Sequence, residues 1–297
     1  IGDFVMSIGS IKSVRNNFQK NKIYLLTTTL IKSKFFKMPY IDEIFIDDRK
    51  SNLNFIKYLF KLKKFNISLI IDLQNSQRTE FYHLFTRIFF KHIKINSSRN
   101  FAQIRYKVPP HGHEHVCEGL NNQLKLIEIN NFFEPNLEWL KNNHFKNPFK
   151  GKYVVLVPGS SKSGSKKRWH ARSFSVLSEI FINANYDVIV TGASSDIEIL
   201  EEIKSLNQKV KTSENLSKFE NFISLCEQSS LIVSVDTGPA HIAALSNKPF
   251  IWLVQKGLYD LTNIPLSKNI HIIKADKMEN ISVEEVVKTS KEILNIT

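Results

Sequence analysis

The sequence predicts an α/β protein built as two successive units of parallel sheet with covering helices. Two observations carry this. Short apolar runs alternate with helical stripes along most of the chain, the pattern of βαβ units. The alternation breaks once, in a stretch from Pro135 to Gly151 rich in Asn, Pro and Lys, and then resumes. At 297 residues the chain is long enough for two domains of ordinary size. The boundary is expected near Pro148–Gly151, giving units of residues 1–149 and 150–297.

The first unit opens on Gly2-Asp3, followed by apolar residues at Phe4, Val5, Ile8, Ile11 and Val14, a helical stripe. A Gly-Asp pair that opens a helix normally follows a strand. A first strand is therefore expected to precede this sequence. Strands are then expected at Ile23–Thr28, Ile44–Ile46, Ile67–Leu73 and Ile93–Ile95, and helices at Leu53–Phe65, Thr79–Phe90 and His115–Ile127. Residues Arg99–His115 carry no period and include Pro109-Pro110.

The second unit repeats the pattern. Tyr153–Val157 is an expected strand ending in Pro158-Gly159-Ser160-Ser161, and Tyr186–Thr191 one ending in Gly192-Ala193. Leu231–Val235 is a β-branched apolar run that reads as a buried parallel strand, and Phe250–Val254 is another. Helices are expected at Ser173–Ala184, Ile197–Leu206, Phe219–Cys226 and Val283–Leu294. Two such units in series suggest a cleft, with ligand at the carboxyl ends of the strands.

The stretch after Val235 is the most informative. Asp236 ends the strand, Thr237-Gly238 turn the chain, Pro239 suits a first helical position, and Ala240–Leu245 continue as helix. Free N–H groups and the helix dipole at such a corner favour a phosphate, and His241 lies within reach of the same anion. A plain strand–turn–helix corner capped by Asp236 or Thr237 is the structural alternative. The loop Lys162–His170 follows another Gly turn. Its stretch Gly159-Ser-Ser-Lys-Ser-Gly164-Ser-Lys166 misses the P-loop pattern, because Ser165 stands where Lys is needed. A basic loop beside a phosphate site fits Lys166–Arg168, and so does a solvated charge run.

Composition narrows the function classes. The net charge of +13 favours an anionic partner such as a nucleotide, an acidic glycolipid, a membrane surface or nucleic acid. Heavy use of Lys, Asn and Ile along the whole chain weakens that reading. No apolar run reaches membrane-span length. Cys117 and Cys226 are far apart and lack metal-ligand spacing, as expected of a reducing compartment.

Asp236-Thr-Gly-Pro-Ala-His241 after an apolar strand resembles the signature of glycosyltransferase family 9, the lipopolysaccharide heptosyltransferases. Pro158-Gly-Ser-Ser with Lys167-Arg-Trp169 resembles the family's second motif, and Gly2-Asp3 before a helix its N-terminal one. Ile70-Ile-Asp-Leu-Gln74 with Arg78 resembles a further recurrent stretch. The resemblance implies a GT-B fold: two facing Rossmann-like domains, the first on the acceptor side and the second holding the donor. It implies inverting transfer from a nucleotide-sugar donor, usually ADP-heptose, to an acidic glycolipid acceptor, the lipid A–core. It places the protein in the cytoplasm, with peripheral contact at the inner membrane. Asp3 would be the general base. Ser160, Ser161 and Lys167 would hold the diphosphate. Asp236, Thr237, Gly238 and His241 would bind the nucleotide diphosphate and ribose side of the donor. Two positions depart from the family. Ser194-Ser195 precede Asp196 where an acidic ribose ligand is frequent, and His170 replaces a common Pro after Trp169.

Inversion needs a base for the acceptor hydroxyl and stabilisation of the leaving diphosphate. The chain has no Asp-x-Asp motif, so hydroxyls, helix N-termini and Lys167 are expected to do the second job, without metal or cofactor. His111-Gly-His113-Glu-His115 has alternating imidazoles that could suit a metal, an acidic acceptor or a surface loop. Asp72 at a strand end reads as a cap or structural contact rather than a catalytic group. The Phe-rich helix Phe81–Phe90 reads as core, interface or a lipid-binding face. A nucleotide-sugar epimerase and a non-catalytic nucleotide-binding module stay open as alternatives. No motif supports nucleic-acid binding.

Overall fold

The computed structural model describes residues 1–48, 53–110, 114–159, 167–212, 219–257 and 261–296. The chain divides into two units. One is Asp3–Trp139; the other is Leu140–Thr297 together with Ile1–Gly2. The division thus falls ahead of Pro148–Gly151, because Phe145 and Phe149 already pack into the second unit's core.

The N-terminal unit contains, in order, α1 (Gly2–Asn17), β1 (Tyr24–Thr27), α2 (Thr29–Phe35), β2 (Glu43–Ile46), α3 (Leu53–Lys64), β3 (Leu69–Ile71), α4 (Gln77–Phe89), β4 (Lys94–Ser97), β5 (Ile104–Arg105) and α5 (Val116–Lys125). All its strand pairs are parallel. They form a two-stranded sheet, β1-β2, and a three-stranded sheet, β3-β4-β5. Most strand positions are only half-buried. Polar networks supply much of the order. Asp72 Oδ1 accepts the backbone N–H groups of Gln74 and Asn75, each at 3.0 Å, and so caps the turn after β3 as expected. Arg78 donates twice to Asp47, which also accepts from Tyr82 Oη at 2.7 Å. Buried Gln123 ties Asp72 to Asn96.

The C-terminal unit contains β6 (Tyr153–Val157), α6 (Ala171–Asn183), β7 (Asp187–Val190), α7 (Ile197–Leu206), β8 (Lys211–Thr212), α8 (Phe219–Gln228), β9 (Leu231–Val235), α9 (Gly238–Ala244), β10 (Phe250–Gln255), β11 (Ile270–Ala275) and α10 (Val283–Leu294). One six-stranded parallel sheet runs β11-β10-β9-β6-β7-β8. Numbered from β6 within the unit, that is the 3-2-1-4-5-6 order of a doubly wound nucleotide-binding sheet. Every residue of β6 and β9 is buried, which is why both read as uninterrupted apolar runs. One core cluster gathers Val154, Leu156, Trp169, Phe174, Leu177 and Phe181 on one sheet face. A second gathers Tyr153, Val155, Val157, Ala240, Phe250 and Trp252 on the other. Among the described residues no helix is long and apolar enough to cross a membrane.

Candidate active site

The order of the six-stranded sheet reverses between β6 and β9, which are direct neighbours with Val157 opposite Ser234. A doubly wound sheet takes its ligand outside the carboxyl ends of the two strands at this switch point. Pro158-Gly159 leave β6 there, and Asp236-Thr237 leave β9. Thr237 is the residue before α9, in extended conformation, and its side chain makes no capping bond to the helix. The plain capping role foreseen for it is therefore not used. Gly238 opens α9 and Pro239 stands second, so the Pro, lacking an N–H, sits where the helix needs none. His241 follows in the same short helix and is buried.

The loop before α6 is anchored by Trp169, which is buried, packs edge-on against Phe174 and donates its indole N–H to the carbonyl of Ile281 at 3.0 Å. This anchor directs its two basic neighbours. Lys167 Nζ lies 2.5 Å from Asp236 Oδ2, so residues far apart in sequence meet across the switch point. The pair is partly exposed, and such pairs are worth about 0–1 kcal/mol. An incoming oxyanion can draw the ammonium away at small cost. Arg168 points the other way, its guanidinium 3.7 Å from Asp196 Oδ1. Neither residue belongs to a freely solvated charge run.

Asp196 is a residue whose role the sequence leaves undecided. It is only 5% exposed and turns inward, accepting the backbone N–H of Ala193 at 2.9 Å. A Cβ on Gly159 would fall on its carboxyl group, and one on Gly192 would lie 2.9 Å from its Cβ. Two glycines at the ends of β6 and β7 thus make room for one carboxylate. The visible signal is that pair of strand-end glycines together with an Asp after the second. Asp196 sits between the two strand ends and faces Arg168, a buried carboxylate rather than one open to a ribose at this position.

Ser160 and Ser161 lie outside the described residues, as do Lys166, His111 and His113. The two described members of the His cluster have structural uses. His115 Nδ1 accepts from the N–H of Cys117 at the start of α5, and Glu114 is bound by Tyr106 and Asn122. Among the described residues, no three His, Cys, Asp or Glu side chains gather as a metal site would require. Both cysteines are free thiols whose pKa is pushed up by burial, to about 12 for Cys117, so neither is an activated nucleophile. In the N-terminal unit, Asp3 is an exposed carboxylate in the first turn of α1.

The chain is 31% identical to lipooligosaccharide heptosyltransferase 2 of Haemophilus influenzae over 142 residues, which cover 44% of this chain and 39% of that protein. It is 30% identical to lipopolysaccharide heptosyltransferase 2 of Salmonella typhimurium over 126 residues, 41% of this chain and 36% of that protein. The matched segments thus span well under half of these curated relatives. Among solved structures, the ADP-heptose lipopolysaccharide heptosyltransferase II of Escherichia coli superposes with a TM-score of 0.77 at 17% identity, covering 99% of this chain and 96% of that one. An E. coli heptosyltransferase solved with ADP-2-deoxy-2-fluoro heptose gives 0.72 at 15% identity, covering 98% and 96%. The UDP-GlcNAc 2-epimerase of Methanocaldococcus jannaschii gives 0.57 at 13%, covering 98% and 90%. These likenesses show the GT-B fold. The profile of glycosyltransferase family 9 (heptosyltransferase) matches residues 58–292, and the chain belongs to that family.

Proposed function

We propose that this protein is an inverting, metal-independent glycosyltransferase that moves heptose from ADP-heptose to an acidic glycolipid, the lipopolysaccharide core, at the cytoplasmic face of the inner membrane. The observation that carries the reading is the meeting of Lys167 with Asp236 at the β6/β9 switch point, beside the start of α9. A diphosphate there would take Lys167 from Asp236 and accept bonds from the backbone N–H groups at the ends of β6 and β9. In this reading Ser160 and Ser161 add hydroxyl contacts, and His241 and Thr237 hold the diphosphate and ribose side of the nucleotide. Gly238 keeps the turn open, and Asp236 releases Lys167 to the phosphate.

Asp3 is the base of this reading. It takes the acceptor hydroxyl proton as the acceptor oxygen forms its bond to the anomeric carbon. The bond from that carbon to the phosphate oxygen breaks, and ADP leaves with the electron pair. The absence of any Asp-x-Asp motif supports charge stabilisation by Lys167 and backbone amides rather than by a divalent ion. ADP binding followed by calorimetry is therefore expected to survive EDTA. Binding lost on chelation and restored by Mg²⁺ would contradict this site chemistry.

Product analysis separates transfer from the alternatives. The protein incubated with ADP-heptose and a lipid A–core acceptor is expected to give ADP and a glycosylated lipid. Conversion of a nucleotide sugar with no acceptor present would favour an epimerase, whose fold is shared. Tight ADP binding with no turnover under either condition would favour a nucleotide-binding module.

A further inference from the structure

α3 and α4 lie side by side, joined by a cluster of rings. Phe55 meets Phe81 at 5.1 Å and Phe85 at 4.8 Å between centroids, and Phe81 meets Phe85 at 4.7 Å. Beneath them Tyr58 and Tyr82 stack at 4.7 Å and close the core with Leu62 and Ile93. Above them the apolar surface is open. Ile56 is 61% exposed, Phe60 67%, Phe81 47%, Ile88 52% and Phe89 62%. Ile56 and Phe60 are one turn apart on α3, and Phe81, Phe85, Ile88 and Phe89 follow the i, i+4, i+7, i+8 stripe of α4. Apolar side chains scattered singly over a surface are ordinary. Here exposed apolar residues line both of two adjoining helices, and a concentration of that kind marks an interaction site.

The charges say what the site meets. α3 carries no acidic residue, and its exposed polar positions include Lys57, Lys63 and Lys64. The 3.6-residue period puts Lys57, Lys61 and Lys64 on the flank of α3 opposite Phe55, and Arg87 on the flank of α4 opposite Phe85. Lys91, two residues past the end of α4, is exposed. Lys61 lies over the Phe45 ring and within electrostatic reach of Glu43 as well as of Lys32, Lys57 and Lys64, so the basic flank is dense with one carboxylate at its edge. The acidic residue of α4, Glu80, is engaged by Asn100 and Arg99. Interfaces between proteins are depleted of Lys. A Phe and Ile centre between Lys and Arg edges is the composition of helices that lie in the interface of an anionic bilayer.

We propose that the Phe- and Ile-bearing face of α3 and α4 docks the N-terminal unit on an anionic lipid surface, the phenyl rings entering the headgroup region and the lysines pairing with lipid phosphates. This names the contact surface for the membrane-side action in the functional reading. The docking itself does not depend on the donor chemistry of the C-terminal unit.

Vesicle sedimentation of the intact chain tests it. The protein is expected to pellet with phosphatidylglycerol-rich vesicles and to stay in solution with pure phosphatidylcholine vesicles. Phe60→Ser combined with Phe89→Ser is expected to weaken vesicle binding at least about tenfold. Lys57→Gln combined with Lys64→Gln is expected to lose about fivefold per charge, an effect that salt mimics. All four side chains are exposed or flank the patch, so melting temperature and ADP affinity are expected to hold in both variants, which separates this test from that of the donor site. Failure of the native chain to pellet, or unchanged pelleting of the Phe60/Phe89 variant, would overturn the proposal. So would a lipid-free dimer that Phe60→Ser abolishes, because the face would then belong to a second copy of the chain.

Discussion

The two units solve different problems with the same alternation of strand and helix. The C-terminal unit is one continuous sheet whose central strands, β6 and β9, are buried at every position. Its apolar cores leave the strand ends as fixed platforms, so polar groups placed there are held in position by packing. The N-terminal unit has two smaller sheets with half-buried strands, joined by polar networks around Asp72, Asp47 and Gln123. Its apolar surplus is displayed on α3 and α4 rather than buried. The proposed reading divides the labour accordingly: the C-terminal unit binds the donor, while the N-terminal unit supplies the base and meets the acceptor's surroundings. Mutations in one unit should then move quantities that mutations in the other leave alone.

The largest expected effect breaks this division most sharply. Asp3→Asn cannot accept a proton at neutral pH, and general-base catalysis is typically worth about 10²–10⁴-fold. In an assay with donor and acceptor, kcat is expected to fall by that order. Asp3 is exposed in the first turn of α1, where a lost negative charge costs about 0.3–1 kcal/mol, so melting temperature and ADP affinity should barely move. Turnover near that of the native protein would remove Asp3 as the base.

Next in size is the packing around Asp196 in the C-terminal unit. Gly159→Ala drives a methyl group into the Asp196 carboxylate, and overpacking of this kind costs about 1–3 kcal/mol. The variant is expected to melt lower and to bind ADP less tightly, because the end of β6 must shift. Gly151→Ala has open space around it and should leave both unchanged. Equal behaviour of the two variants would show that Asp196 does not brace the strand ends.

A smaller effect belongs to the N-terminal unit. His83 is buried 3.4 Å from Asp72, with Glu80 and Arg99 also acting on it. Burial is the dominant influence and holds its pKa below the ordinary value, against the pull of Asp72. The unfolded chain therefore gains a proton near pH 6.5 that the folded chain resists. This contribution is fully present above that pH and is lost as pH falls towards the depressed folded value, with a slope of up to about 1.4 kcal/mol per pH unit. Thermal melts from about pH 7.5 down to about pH 5 should show the fall, and His83→Gln should flatten it. An unaltered slope in that variant would assign the acid sensitivity to other groups.

The same contrast governs what the sequence reveals. Tyr153–Val157, Leu231–Val235, Ile197–Leu206 and Val283–Leu294 are found at the expected bounds, because full burial writes an unbroken apolar run and a strong amphipathic stripe writes a helix. β5 and β8 go unforeseen because each has two residues, too few to show a period. β11 is missed because Ile-His-Ile-Ile-Lys-Ala mixes exposed and buried positions, and α2 because its Thr-Leu-Ile-Lys-Ser-Lys-Phe is short and has few buried residues. β3 is shorter than expected, since the turn begins once Asp72 captures two backbone N–H groups. At the site, the Asp236-to-His241 corner is legible as a local motif. The pairing of Lys167 with Asp236 and the inward turn of Asp196 are not, because both depend on which strands become neighbours.

The central claim is that the donor diphosphate sits at the β6/β9 switch point, and ADP calorimetry on Lys167→Ala and His241→Ala tests it most directly. Losing a charge-assisted hydrogen bond costs about 1.5–3 kcal/mol, so each variant is expected to bind ADP about 10- to 150-fold more weakly at an unchanged stoichiometry. Asp3→Asn, measured alongside, should match the native protein. Unchanged ADP affinity in both Lys167→Ala and His241→Ala would place the diphosphate elsewhere and contradict the account.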